Sequence, residues 1–163
     1  MLLLLPFQNQ TYTYKTMKKL LAIFLLLCLV LAVEVKAQGV LEKNGKVFHL
    51  SPGEKEYNYA QAYRSGNLLY ISGTVGNGTM DEAMERVYKT LEFTLKKYNL
   101  DFTHVVKENL YTRDMEASKK SMAIRKKYYG THSPAATWVQ INRLFDEESL
   151  LEVELIAEIK KTE

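Results

Sequence analysis

The sequence predicts an α+β fold, with a mixed six-stranded sheet and two helices on one face. Three observations carry this. Segments rich in aromatic and β-branched residues recur between turn signals, at 46–50, 59–63, 68–74, 105–113, 135–141 and 150–160. Two stretches between them carry helical stripes with their own start and stop residues. Each helix lies between two strands, which permits a crossover and a partly parallel sheet.

The elements follow in order. Ser51-Pro52-Gly53 turns the first strand, and Arg64-Ser65-Gly66-Asn67 is hairpin chemistry, with Gly and Asn tolerating positive φ. Thr79-Met80-Asp81-Glu82 reads as a capping box. The helix after it places Met84, Val87, Tyr88, Leu91, Leu95 and Tyr98 on one stripe and stops at Asn99. A second helix is expected from about Glu116 to Tyr129, closed by Gly130. Leu68, Tyr70, Val106, Leu110 and Val139 are more apolar surface than one helical layer covers, so an oligomer is expected for so short a domain.

The N-terminus has a different logic. From Met17 the chain reads MKKLLAIFLLLCLVLAVEVKAQ, with basic Lys18-Lys19, the apolar run Leu20–Val33 and Val35-Lys36-Ala37 before Gln38. Those are the three parts of a signal peptide, expected over 17–37, with export to the periplasm or the medium. The apolar run is shorter than the ~18–20 residues of a membrane span, which leaves an uncleaved anchor helix as the lesser reading and no membrane contact after cleavage. Residues 1–16 fit no part of this pattern, and Met17 is expected to be the true start. Residues 38–45 read as a polar lead-in, and the folded domain as 46–163.

Charge and cysteine narrow the function. The whole chain has a net charge of +3, and residues 1–37 carry four lysines against one glutamate. The remainder, with 18 basic and 18 acidic residues, is neutral, so no general attraction to nucleic acid is expected. Lys119, Lys120, Arg125, Lys126 and Lys127 read as a solvated helix face rather than a nucleic-acid contact. The single cysteine, Cys28, lies in the apolar run without the small residues a lipidation site needs, so the mature domain has no thiol chemistry. His49, His104 and His132 sit at no metal-ligand spacing. Neither a metal nor a cofactor is expected. A nucleophile elbow, a phosphate loop and a dinucleotide fingerprint are all missing from the sequence.

The segments YNYAQAYRSGNLLYISGTVG (57–76), PAATWVQI (134–141) and LEVELIAEI (151–159) resemble the RidA/YjgF family of reactive intermediate deaminases. Val105-Val106-Lys107, Tyr111 and Asp114-Met115 add to the match. The resemblance implies a RidA-like (chorismate-mutase-like) domain, a homotrimer, and a small-molecule pocket between neighbouring subunits. It implies pocket roles for Tyr59, Ser72 and Gly73, and for Glu154 the positioning of an attacking water. An asparagine of many deaminases falls on Met122 here, and the family's carboxylate-anchoring arginine falls on Ala136.

Trp138 lies two residues beyond Ala136, on the same strand face. Together they predict a smaller, drier and more apolar wall. Trp138 also reads as plain core packing, and Glu154 as an ordinary strand residue alternating with Val153 and Leu155. Arg125, one turn from Met122, is the candidate replacement for the lost arginine. Two functions follow from the resemblance and its departures. One is weak or altered hydrolysis of imines and enamines; the other is a non-enzymatic ligand-binding or holdase-type role.

Overall fold

The two segments with the cleanest alternation of buried and exposed residues meet at the centre of the sheet. The computed structural model describes residues 16–19 and 39–159. Residues 16–19 are helical, and the rest of the expected signal peptide lies outside the described residues. A separate compact unit begins at Gly39. Its strands are β1 (Val40–Leu41), β2 (Val47–His49), β3 (Ala62–Ser65), β4 (Leu68–Gly76), β5 (Val105–Thr112), β6 (Ala135–Gln140) and β7 (Leu151–Glu158). They form one mixed sheet in the order β1-β2-β3-β4-β7-β5-β6. Only the β5–β6 pair is parallel, and the helical crossover between these strands makes that possible.

Among the described residues the sheet has seven strands rather than six, because two residues of the expected lead-in pair with β2 as β1. Two further local expectations are corrected. The strand expected over 59–63 starts only at Ala62, because α1 (Gly53–Glu56) and the turn at Asn58, with φ 54°, occupy the preceding residues. The second helix is broken into α3 (Met115–Lys120) and α4 (Met122–Tyr129) at Ser121. There the Ser121 hydroxyl donates to the Asp81 carboxylate at the start of α2, a side-chain bond between positions 40 residues apart.

Helix α2 (Met80–Lys96) starts at the expected capping box, with Glu82 N–H donating to Thr79 Oγ1 and Thr79 N–H to the Glu82 carboxylate. Its stripe of Met84, Val87, Tyr88, Leu91 and Leu95 is fully buried. That stripe meets Leu69 and Ile71 of β4, Leu110 of β5, and Leu151, Val153 and Leu155 of β7 in the core. Burying each such side chain contributes roughly 1.5–3 kcal/mol. α4 packs beside α2, with Tyr128 stacked on Tyr88 at 5.6 Å. Gly76 makes the close approach possible: a Cβ there would lie 2.5 Å from the Ala83 carbonyl oxygen.

Among the described residues of this unit, no helix covers the opposite face of the sheet. Tyr63 and Tyr70 sit directly across from each other on β3 and β4 and are exposed, as are Val106 and Val139. Leu110, expected with them, instead points into the core. Among the described residues no helix is long and apolar enough to cross a membrane.

Candidate functional site

The site begins with a bulge. In the β4–β7 ladder Ile71 pairs with Leu155 and Thr74 with Val153, so Ser72 and Gly73 together stand opposite Glu154. Two residues against one is the geometry of a β-bulge, which turns both toward the open face. Gly73 leaves room for the Glu152 side chain, whose Oε1 would lie 1.8 Å from a Cβ placed there. The Ser72 hydroxyl donates to the Ala60 carbonyl at 2.6 Å, and Gln61 Nε2 donates to Thr74 Oγ1 at 3.0 Å. Buried Glu54 accepts the backbone N–H groups of Leu50, Ser51 and Gln61 at 2.9–3.1 Å. The chain just after Tyr59 is thereby fastened both to β4 at the bulge and to the buried Glu54.

Alternation along β7 places Glu152, Glu154 and Ile156 on the open face. Glu154 Oε1 accepts from Asn109 Nδ2 at 2.7 Å and from the Tyr111 hydroxyl at 3.0 Å. Its other oxygen accepts no bond among the described residues. Burial, and then the charge of Glu154, push the Glu152 carboxyl above the usual range. Burial, and then the bond to Glu154, push the Tyr111 hydroxyl up. Tyr59 is raised by burial and by the charges of Glu54 and Glu152, so it too stays a hydrogen-bond donor. A carboxylate held at one oxygen and free at the other can accept a proton from water.

Two cavities adjoin here and share Ser72. One of about 220 Å³ is lined by Tyr70, Lys107, Asn109 and Glu154. The other, of about 410 Å³, is lined by Tyr57, Tyr59, Gly73, Phe145, Asp146 and Glu152. Among the described residues no three His, Cys, Asp or Glu converge to hold a metal ion.

Ala136, Trp138 and Met122 are elsewhere. β6 runs parallel to β5 with Ala136 beside Glu108 and Trp138 beside Leu110, so these two face the helix side. Met122 heads α4 and packs against the core. Within one chain, then, Tyr59, Ser72, Gly73 and Glu154 gather on the open face, and the other three do not reach them. Only a second subunit could bring the two sets together.

The sequence reading missed what holds Trp138. Glu108 is fully buried and accepts four side-chain bonds. Trp138 Nε1 at 3.0 Å and Arg125 Nε at 2.8 Å bind one oxygen. The hydroxyls of Tyr88 at 3.0 Å and Tyr129 at 2.7 Å bind the other. Arg125, the candidate replacement anchor, is therefore paired with Glu108, its guanidinium 4.3 Å from the Tyr129 ring centre and 5.1 Å from that of Trp138. The missed signal was register: Glu108 alternates with Leu110 on the core side, while Asn109 and Tyr111 alternate on the side of Glu154.

Comparison with known proteins agrees with this architecture. The family described as Endoribonuclease L-PSP matches residues 52–159. The RutC family protein of Pyrococcus abyssi is 27% identical over 108 residues, covering 61% of this chain and 84% of its own. The human 2-iminobutanoate/2-iminopropanoate deaminase is 29% identical over 108 residues, covering 61% of this chain and 78% of its own. Among solved structures, a YjgF family member from Neisseria meningitidis superposes with a TM-score of 0.63 at 24% identity, over 72% of this chain and 96% of that one. Yeast Mmf1 superposes with a TM-score of 0.59 at 28% identity, over 63% and 87%. The mixed sheet, the helical layer on one face and a family match spanning most of the folded unit lead to one conclusion: the chain belongs to the RidA/YjgF family.

Proposed function

We propose that this protein hydrolyses imines or enamines, in a pocket completed between the subunits of a homotrimer, after export to the periplasm or the medium. The observation that carries the chemistry is the half-anchored Glu154 carboxylate opposite the Ser72–Gly73 bulge. Its free oxygen takes a proton from water as the water oxygen bonds to the C=N carbon. The π electrons move to nitrogen, which is protonated, and the carbinolamine then expels ammonia to leave a carbonyl. Asn109 and Tyr111 hold the carboxylate still, so little reorganisation is needed at attack. The name of the human relative, an iminobutanoate and iminopropanoate deaminase, supports this reaction class.

The trimer is supported by the uncovered apolar face and by the division of the family's pocket positions between two faces of the sheet. Export rests on the order of basic, apolar and cleavable segments over 17–37. Where the family resemblance calls for a carboxylate-binding arginine, Ala136 offers a methyl group. Activity on imino acids is therefore weak, and the same position favours a second reading, ligand binding without turnover. Ammonia release from a freshly generated imine separates the two. Turnover that is lost in Glu154→Ala supports the hydrolase; no release above the uncatalysed rate leaves the binding role.

A further inference from the structure

We propose that Asn77 is a self-modification site: its side-chain amide is converted, through a cyclic imide formed with Gly78, to a carboxylate at the entry to α2. Water is the only other reactant. Three features of this turn support the assignment.

The first is the glycine. Gly78 has φ 90°, and a Cβ there would lie 2.7 Å from Glu82 Oε2, the carboxylate of the capping box. The cap therefore favours glycine directly after Asn77. A glycine nitrogen has no side chain beside it to block its approach to the Asn side chain before it.

The second is the state of the reacting groups. Neither the Gly78 N–H nor Asn77 Nδ2 donates a hydrogen bond among the described residues. Asn77 Oδ1 accepts from Arg86 Nη1 at 2.8 Å. The guanidinium draws electron density from Cγ and stabilises the negative charge that gathers on Oδ1 during attack. The Gly78 nitrogen loses its proton and bonds to Cγ. The C=O bond then re-forms, Nδ2 takes a proton and leaves as ammonia, and a five-membered imide remains. Water opens it at Cγ to give aspartate, or at the backbone carbonyl carbon to give isoaspartate.

The third is a contrast within the chain. Asn44-Gly45 is a second Asn-Gly pair. There the Gly45 N–H donates to the Glu42 carbonyl at 2.8 Å. Asn44 Oδ1 accepts the Lys46 N–H at 2.8 Å, and Nδ2 donates to the Glu42 carboxylate at 3.3 Å. Attack at Asn44 must break these bonds first; attack at Asn77 breaks none.

The two products differ in effect. Aspartate at this position keeps Arg86 as its partner and sets a negative charge beside the N-terminus of α2, where the helix dipole favours it. Isoaspartate adds a backbone carbon between Gly76, packed without spare room on Ala83, and the Thr79 cap. That product loosens the join of β4 to α2.

The intact protein is aged near neutral pH, folded and in urea, and peptide mass spectrometry follows the conversion of amide to acid at both sites. In urea the two rates are expected to agree within about threefold. In the fold Asn77 is expected to convert about tenfold or more faster than Asn44. Arg86→Met, an exposed change, is expected to slow Asn77 about threefold to tenfold and to leave Asn44 unchanged. Asn77→Asp stands for the first product and is expected to melt no lower than the wild type; a lower melting temperature overturns the effect argued for that product. The assignment is overturned if Asn77 converts no faster than Asn44 in the fold, if the same ratio holds in urea, or if folded Arg86→Met converts Asn77 at the wild-type rate.

Discussion

The Trp138 indole N–H meets Glu108 Oε1 at 3.0 Å, so an aromatic residue on an exposed edge strand is held by a carboxylate with no exposure at all. Trp138→Phe deletes this donor and puts a smaller ring beside Arg125. A hydrogen bond to a charged group contributes about 1.5–3 kcal/mol, and a loss in that range is expected in urea denaturation. Arg125→Met is expected to cost more, about 3–5 kcal/mol, because it strands a buried charge. Near-equal midpoints for Arg125→Met and wild type would show that the Arg125–Glu108 pair does not hold the fold together.

Ala136→Arg restores the carboxylate-binding group that the family resemblance places there. kcat/KM on a short-chain imino acid is expected to rise about tenfold to a hundredfold. Glu154→Ala in the same background abolishes the gain, since the arginine binds and the glutamate takes the proton. Trp138→Ala is a natural second change, to relieve crowding on that strand face. Its bond to Glu108 makes it a destabilising one, so any further gain must be read against a lower melting temperature.

Glu152 gives stability a definite pH dependence. Its folded carboxyl is raised by burial and by Glu154, so the folded chain holds this proton more tightly than the unfolded chain. That contribution is complete below the ordinary carboxylate value of 4.5 and is lost as pH rises through the higher folded value. Glu152→Gln should therefore melt higher than wild type at pH 7, and the difference should shrink as pH falls toward 4. Thermal scans of both proteins across that range check the sign.

Gly76→Ala tests the contact between sheet and helix. The added carbon would meet the backbone of Ala83 at 2.5–2.9 Å, and backbone cannot rotate aside. Overpacking of this kind costs about 1–3 kcal/mol, read as a shift in the denaturation midpoint. Gly45→Ala, at φ 67° with open space around it, carries only the backbone penalty and serves as the comparison.

Most strands and the long helix were legible because their alternation and capping are local properties. The Thr79 box and the α2 stripe needed no tertiary context. Residues 59–61 were misread as strand because aromatic content outweighed the left-handed turn at Asn58, beside which the buried Glu54 accepts the Gln61 N–H. The site was half legible. The resemblance pointed to Glu154, Ser72 and Gly73, but the bulge that aligns them is a mismatch between distant strands, invisible in either alone. Glu108 was passed over because a charge within a strand looks like solvent-facing alternation until its four partners are assembled.

Those partners give the buried carboxylate a kinetic meaning. They lie on α2, α4 and β6, one before β5 in the chain and the others after it. A β5–β7 hairpin-like pairing formed ahead of α4 and β6 would enclose a bare anion, at a cost of several kcal/mol. Because three of the four donors come from α2 and α4, the burial of β5 is tied to the docking of α4 rather than to the edge strand β6, which adds one donor. Early intermediates with β5 docked and α4 loose are disfavoured.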